Sequence, residues 1–253
     1  MDEEKKTEET KPLALSIVDL HKSYGNKEVL KGLNLSIAPG EVLGLIGKNG
    51  IGKSTTIDCV VGLKEFQEGS ISVFGHDVTK EPLIAKSMIG YVPSEPTAYE
   101  VMTGYEYLAF IASAYKMRQV AYVDNVEYLK NKFELSDEDL NRRIGEYSHG
   151  MKQKICLMAS LIHNPSLWIL DEPTVGLDAM VYEVLVKMIK QFASTGRSVL
   201  LTSHNIDMVG RLADEACIIF DGVIKTSLDF RKEPLRRRDL ANIFFRVYGE
   251  LGQ

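Results

Sequence analysis

Val42-Leu43-Gly44-Leu45-Ile46, followed at once by Gly47-Lys48-Asn49-Gly50-Ile51-Gly52-Lys53-Ser54, is the stretch that decides the fold. The first five residues read as a buried strand, and the next eight fit GxxxxGK[ST]. A helix pattern starts at Lys53 and runs to about Val61, with Gly62 as its stop. In that context the glycines let the backbone curl, so that successive N–H groups point at phosphate oxygens. The helix adds its positive N-terminal end. Lys53 is expected to reach the β- and γ-phosphates of a nucleoside triphosphate, and Ser54 to hold Mg²⁺ through its hydroxyl.

Outward from this loop, short apolar runs alternate with helix-period stretches, the pattern of an α/β fold. Strands are expected at Leu15–Leu20, Leu33–Ile37, Ile71–Phe74, Ile89–Val92, Leu167–Leu170, Val199–Thr202 and Ala216–Phe220. Between about Ser94 and His163 the periodicity is helical instead. Tyr105–Met117 and Ala121–Phe133 read as helices, Ser136 as the cap of a short one, and Met151–His163 as a fourth. This block reads as a helical insertion in the α/β domain. A helix follows at about Met180–Phe192. Another carries Leu240, Ile243, Phe244 and Val247 on one face, with Asp239 as N-cap and Gly249 as stop.

Composition narrows the function classes. Of 253 residues, 30 are basic and 35 acidic, a formal charge of −5. That balance argues against nucleic acid as a partner, since a phosphate backbone calls for a basic excess. Cys59, Cys156 and Cys217 form no CxxC pair, which fits a reducing compartment and no zinc site. Residues 1–12 are polar and acidic, with no apolar stretch, and read as a disordered tail rather than a signal peptide. Apolar runs are strand-sized, far short of the roughly 20 residues that span a bilayer. Any membrane-spanning helices are therefore expected in another chain. The basic run Arg231–Arg238 reads as a solvated linker, with attraction to anionic lipid heads as the alternative.

A second site segment is Leu167-Trp168-Ile169-Leu170-Asp171-Glu172, an apolar strand ending in two acids. Asp171 suits a Mg²⁺ ligand. Glu172 is then positioned to orient or deprotonate a water attacking the γ-phosphate. Alone, such acids are as well explained as a solvated strand end; beside the phosphate loop the functional reading prevails.

These two motifs say only that a nucleoside triphosphate is hydrolysed. Tyr147-Ser148-His149-Gly150-Met151-Lys152-Gln153-Lys154 makes the resemblance specific. Together with the loop and the acidic strand end, it resembles the signature of ABC-type ATPases, usually written LSGGQ. His149 stands in place of its first glycine and Met151 in place of its glutamine. Other marks follow in family order. Tyr24 resembles the aromatic that stacks on adenine, with Val29 as an apolar floor. Gly176-Leu177-Asp178 resembles the D-loop, and His204 the switch histidine. Ser94 stands where the family has a glutamine near the Mg²⁺, and Glu95 is its neighbour.

The resemblance covers about Leu13 to Lys225. It implies a P-loop NTPase of ABC type: a RecA-like α/β core, an antiparallel β part and an inserted helical subdomain at about 94–163. The ATPase domain is expected over 13–227 and a short helical extension over 228–253. ATP and Mg²⁺ are implied, with Gly47 to Thr55 (Lys48, Asn49, Gly50, Ile51, Gly52, Lys53 and Ser54 between them), Tyr24 and Val29 around the nucleotide. Ser54, Asp171 and Ser94 would face the metal, and Glu172 and His204 would serve hydrolysis. In the family, Ser148 and Gly150 match positions that face the ATP of an opposite subunit. The resemblance therefore implies a dimer around two ATP molecules, made of two copies of this chain. It also implies a separate membrane permease docking near Ser94–Tyr99, and a place on the inner face of the cell membrane. Tyr147–Lys154 and Asp239–Tyr248 look most like bacterial drug-, peptide- and antibiotic-export ATPases. Two alternatives stay open: a soluble ABC ATPase acting as an assembly factor, such as the iron–sulfur cluster type, and a module that holds ATP without turnover.

Overall fold

The period-two alternation of Val42–Ile46 has a direct structural counterpart. Val42 and Ile46 enter one hydrophobic core and Leu43 and Leu45 a second one on the opposite face. The computed structural model describes residues 12–95, 97–174, 177 and 179–250. The expected tail up to residue 11, and Gly176 and Asp178 of the D-loop motif, lie outside them.

The chain opens with an antiparallel hairpin, β1 (Leu15–Tyr24) and β2 (Lys27–Ile37), then β3 (Val42–Ile46) and α1 (Lys53–Val60). β4 (Glu68–Val73) and the short β5 (His76–Asp77) follow, then α2 (Pro82–Ser87) and β6 (Ile89–Val92). Four helices come next: α3 (Gly104–Ala114), α4 (Gln119–Phe133), α5 (Asp137–Asn141) and α6 (His149–Leu161). The remainder alternates: β7 (Leu167–Asp171), α7 (Ala179–Ser194), β8 (Ser198–Ser203), α8 (Ile206–Leu212), β9 (Glu215–Phe220), β10 (Val223–Asp229) and α9 (Arg236–Glu250).

Two sheets result. One is antiparallel, in the order β2-β1-β4-β5; the other runs β10-β9-β3-β8-β7-β6. In the second, β9, β3, β8, β7 and β6 pair in parallel, and only β10 is antiparallel at the edge. β3, β8 and β7 are therefore neighbours with their carboxyl ends on one side, where ligands of open α/β sheets gather. Register fixes the alignment: Ile46 lies opposite Ser203, and Asp171 opposite Thr202.

The four helices between β6 and β7 share a core of Leu108, Val126, Leu129, Phe133, Leu140 and Ile144. Capping boxes start two of them, Thr103 with Glu106 on α3 and Ser136 with Asp139 on α5. α6 seats on β6 at Gly90, where an added Cβ would stand 2.2 Å from the Ser160 carbonyl oxygen. Only glycine permits that approach. Trp168, fully buried on β7, donates its Nε1–H to Ser160 Oγ at 3.0 Å, so the same turn of α6 is fastened to the sheet twice.

Several expectations need correcting. α9 begins at Arg236, so Asp239 lies in its first turn rather than at its cap, and Gly249 lies inside it. Residues 231–238 are no solvated linker. Arg231 pairs with the buried Glu41 at 2.6 Å and with Asp229 at 3.2 Å. Arg237 donates to the Gly210 carbonyl at 2.7 Å and lies over the Phe230 ring. The run thus ties the start of α9 to the body of the domain. The sequence pattern also missed α2, α8, β5 and β10, which are short or lack an apolar period.

Candidate active site

The phosphate loop leaves the buried end of β3 and turns into α1 with Gly52 at φ 121°, a conformation that side chains resist. A Cβ there would also stand 2.8 Å from Leu30 Cδ2, so space as well as conformation requires glycine. Gly52 caps α1 without a side chain, leaving the helix N-terminus open toward the cleft.

That cleft, of about 460 Å³, is lined from the loop by Asn49, Gly50, Gly52, Lys53, Ser54 and Thr55. Val29 adds an apolar wall, and Ser94, Glu95, Glu172 and His204 complete the lining. The residues expected from four separate motifs are thus brought to one place. Gly47, Lys48 and Ile51 support the loop without lining the cleft, and Asp171 sits one residue behind Glu172. Tyr24 also lies outside the lining. It is exposed, and Lys22 Nζ sits 4.8 Å from its ring centroid.

Lys53 is buried, and its amine sits at the centre of the polar network. Nζ donates to the carbonyls of Gly47 at 2.7 Å and Lys48 at 3.2 Å, and lies 3.4 Å from Glu172 Oε1. Glu172 Oε2 accepts from His204 twice, from the backbone N–H at 3.1 Å and from Nδ1 at 2.8 Å. Its Oε1 is buried and has no hydrogen-bond partner. A buried carboxylate oxygen with a bare lone pair is suited to accept from a water or other donor entering the cleft.

Glu172 also has φ 48°, unusual for a residue with a side chain. Thr202 holds it there, and sequence reading did not single Thr202 out. The Glu172 N–H donates to the Thr202 carbonyl at 3.2 Å and to its Oγ1 at 3.1 Å. Thr202 Oγ1 in turn donates to Asp171 Oδ1 at 2.5 Å. One hydroxyl on β8 therefore sets both acids at the end of β7. Its position opposite Asp171 follows from strand register, which no local pattern reveals.

The oxygens of Ser54 and Asp171 are the hard donors that Mg²⁺ prefers. Among the described residues no group of three or more His, Cys, Asp or Glu is placed to hold a metal by itself. The set therefore fits an ion shared with phosphate oxygens rather than a cation caged by protein.

The signature residues lie elsewhere. Ser148 caps α6, its Oγ accepting from the Met151 N–H at 3.3 Å. His149 and Gly150 open that helix, and none of Ser148, His149, Gly150 or Met151 lines the cleft. Beyond Gly150 a Cβ would meet nothing within 4 Å. Gln153, buried on the same helix, donates through Nε2 to the Pro173 carbonyl at 3.3 Å and joins α6 to the segment after Glu172. Tyr248 of α9 was also missed. Its hydroxyl accepts from the Lys48 N–H at 3.0 Å and donates to the Ile219 carbonyl at 2.7 Å.

Comparison with known proteins agrees with this geometry. A family model described as ABC transporter matches residues 30–175, more than half of the chain. The linearmycin resistance ATP-binding protein of Bacillus subtilis (strain 168) is 37% identical over 218 residues, covering 82% of this chain and 67% of that protein. A solved structure of an ATP binding subunit of an ABC transporter superposes with a TM-score of 0.84 at 30% identity, over 91% of this chain and 99% of that one. The dimeric ATP-binding cassette MJ0796, in a post-hydrolysis state bound to ADP and Pi, shares the fold with a TM-score of 0.78 at 22% identity, over 86% of this chain and 99% of that one. With a phosphate loop, two acids and a histidine gathered at adjoining strand ends, and with these relatives, the chain belongs to the ABC transporter family as one of its ATP-hydrolysing subunits.

Proposed function

We propose that two copies of this chain close around two ATP molecules and drive a separate membrane permease that exports a drug, peptide or antibiotic. The observation that carries the reading is the division of the site. Lys53, Glu172 and His204 meet in one cleft, whereas Ser148–Met151 stand outside it on the end of α6. A hydroxyl and an open helix N-terminus form an anion-binding end. Directed at a second copy's cleft, that end would complete the site there. The dimeric MJ0796 cassette bound to ADP and Pi supports the arrangement.

Within the cleft, Lys53 is the cation for the β- and γ-phosphates and Val29 supports the base, with Tyr24, outside the cleft lining, as the base's stacking partner. Ser54 and Asp171 would hold Mg²⁺, which neutralises phosphate charge when bound. Glu172 accepts the proton of the attacking water at its bare Oε1, while His204 holds Oε2 and keeps the carboxylate aimed. Ser94 and Glu95 line the same cleft, and Ser94, shorter than the glutamine of the family pattern, would need a water to reach the ion.

No described helix is long and apolar enough to cross a membrane, which fits a permease on another chain and a peripheral place on the inner face of the membrane. The linearmycin resistance relative favours export, over a permease-free assembly factor. Ser148→Arg in a Glu172→Gln background tests the division of the site. The bulky cation should spare ATP binding by the monomer and abolish ATP-dependent dimers in light scattering. A dimer that survives the substitution would refute the sandwich.

A further inference from the structure

The peptide unit between Gly47 and Lys48 is gripped from both sides. Its carbonyl oxygen accepts from Lys53 Nζ at 2.7 Å, and its N–H donates to the Tyr248 hydroxyl at 3.0 Å. Tyr248 lies 200 residues further along the chain, on α9. Its hydroxyl is fixed in turn by donating to the Ile219 carbonyl at the end of β9. The ring is packed edge-on by Phe220 at 5.2 Å and at a tilt by Phe244 at 4.7 Å, with Lys48 Nζ 4.8 Å from its centroid. Burial pushes the phenol pKa up, so the hydroxyl stays protonated at neutral pH.

α9 itself is anchored. Arg237 donates to the Gly210 carbonyl of α8, the helix that follows His204, and Leu240 and Phe244 enter the main core. The helix therefore spans from the His204 side of the site to the entrance of the phosphate loop.

We propose that α9 is a strut of the nucleotide site and that Tyr248 is a positioning residue for ATP. By holding the Gly47–Lys48 peptide it fixes the carbonyl against which the Lys53 amine rests. The inference rests on Gly47–Thr55 being the ATP-binding loop. Without the hydroxyl, the Lys48 N–H loses its acceptor and the peptide is free to turn, taking the Lys53 anchor with it.

Tyr248→Phe in the full chain keeps the ring and removes only the hydroxyl. ATP affinity by calorimetry should weaken about 3- to 10-fold, the range of one hydrogen bond, and the KM of hydrolysis should rise in step. A structural role alone would lower the urea midpoint and leave Kd and KM as they were, which would overturn the inference. A second test uses Lys48→Pro, which removes the N–H while Lys48 has negative φ. In that background Tyr248→Phe should alter Kd by less than about twofold, the limit of additivity error. An equal loss in both backgrounds would show that the hydroxyl acts through its Ile219 contact and not through the Lys48 N–H, and would overturn the proposal. A wild-type chain that bound no ATP would sink the reading of the loop, and this inference with it, before any variant is compared.

Discussion

Replacing Glu172 with glutamine separates proton acceptance from everything else this side chain does. The two carboxylate oxygens have different duties: Oε2 takes both His204 donors, and Oε1 faces Lys53 at 3.4 Å with no hydrogen bond. A glutamine can place its carbonyl oxygen where Oε2 stands and keep both His204 contacts. Its amide then occupies the Oε1 position, where it donates and cannot accept a proton. The backbone at φ 48° is no harder for glutamine than for glutamate. General-base assistance is worth roughly 10²–10⁴-fold, or about 2.7–5.4 kcal/mol on the barrier, and turnover should fall by that factor. Affinity should move the other way or hold. In the wild type the phosphates must draw Lys53 from a carboxylate in a pair that is 6% and 12% exposed; the variant has no such competitor. Charge-assisted contacts contribute about 1.5–3 kcal/mol net, so any tightening should stay below roughly 160-fold. Phosphate release at saturating ATP and Mg²⁺ gives the first quantity and calorimetry the second. Wild-type release would show that Glu172 is not the base. Weakened binding would show that the Lys53 contact supports the cleft rather than competing for it.

Tyr24→Ala should weaken ATP more than inorganic triphosphate, because it touches only the base; equal losses in calorimetry would remove Tyr24 from the adenine site, as its position outside the cleft lining would then explain. His163 gives a pH dependence. Its Nε2–H donates to the Ile89 carbonyl at 2.9 Å, its ring stacks on Tyr115, and burial pushes its pKa down to about 4. The unfolded chain titrates near 6.5 and binds the extra proton first. Stability should therefore be full above about pH 6.5 and fall as pH drops toward 4, by up to about 1.4 kcal/mol per unit. His163→Gln should flatten that slope in urea titrations, and an unchanged slope would assign it to other groups.

The phosphate loop was legible because its chemistry is local: glycines, a lysine and a helix start lie within eight residues. The buried strands of the parallel sheet were legible for a related reason, since residues such as Val199–Leu201 are apolar and buried on both faces. β1 and β2 were read too short. Their outer halves are polar on the exposed side and irregular in register, so apolar runs mark only part of each strand. α8 escaped because it makes fewer than two helical turns, and β10 because only one of its residues, Leu228, is buried, so neither shows a repeated apolar period. What sequence could not show was the pairing of distant positions. Thr202 with Asp171, Gln153 with Pro173 and Tyr248 with Lys48 each depend on register or helix docking between separate elements. The motif at Ser148–Met151 could be read as a helix start; that it stands away from the phosphate cleft is a property of the whole fold.

The contact at Gly90 has a mechanical consequence. Ser160 is the point where α6 rests on bare strand backbone, and Ser148 caps the opposite end. Twelve residues of helix at 1.5 Å each make a lever arm of about 18 Å. A rotation of only about 3° about the Gly90 fulcrum swings the Ser148 end through about 1 Å, comparable to the difference between a good hydrogen bond and none. A methyl group at residue 90 would lift the fulcrum rather than turn the arm. The flatness of one glycine thus sets how close to the sheet the helix, and Ser148 with it, can stand.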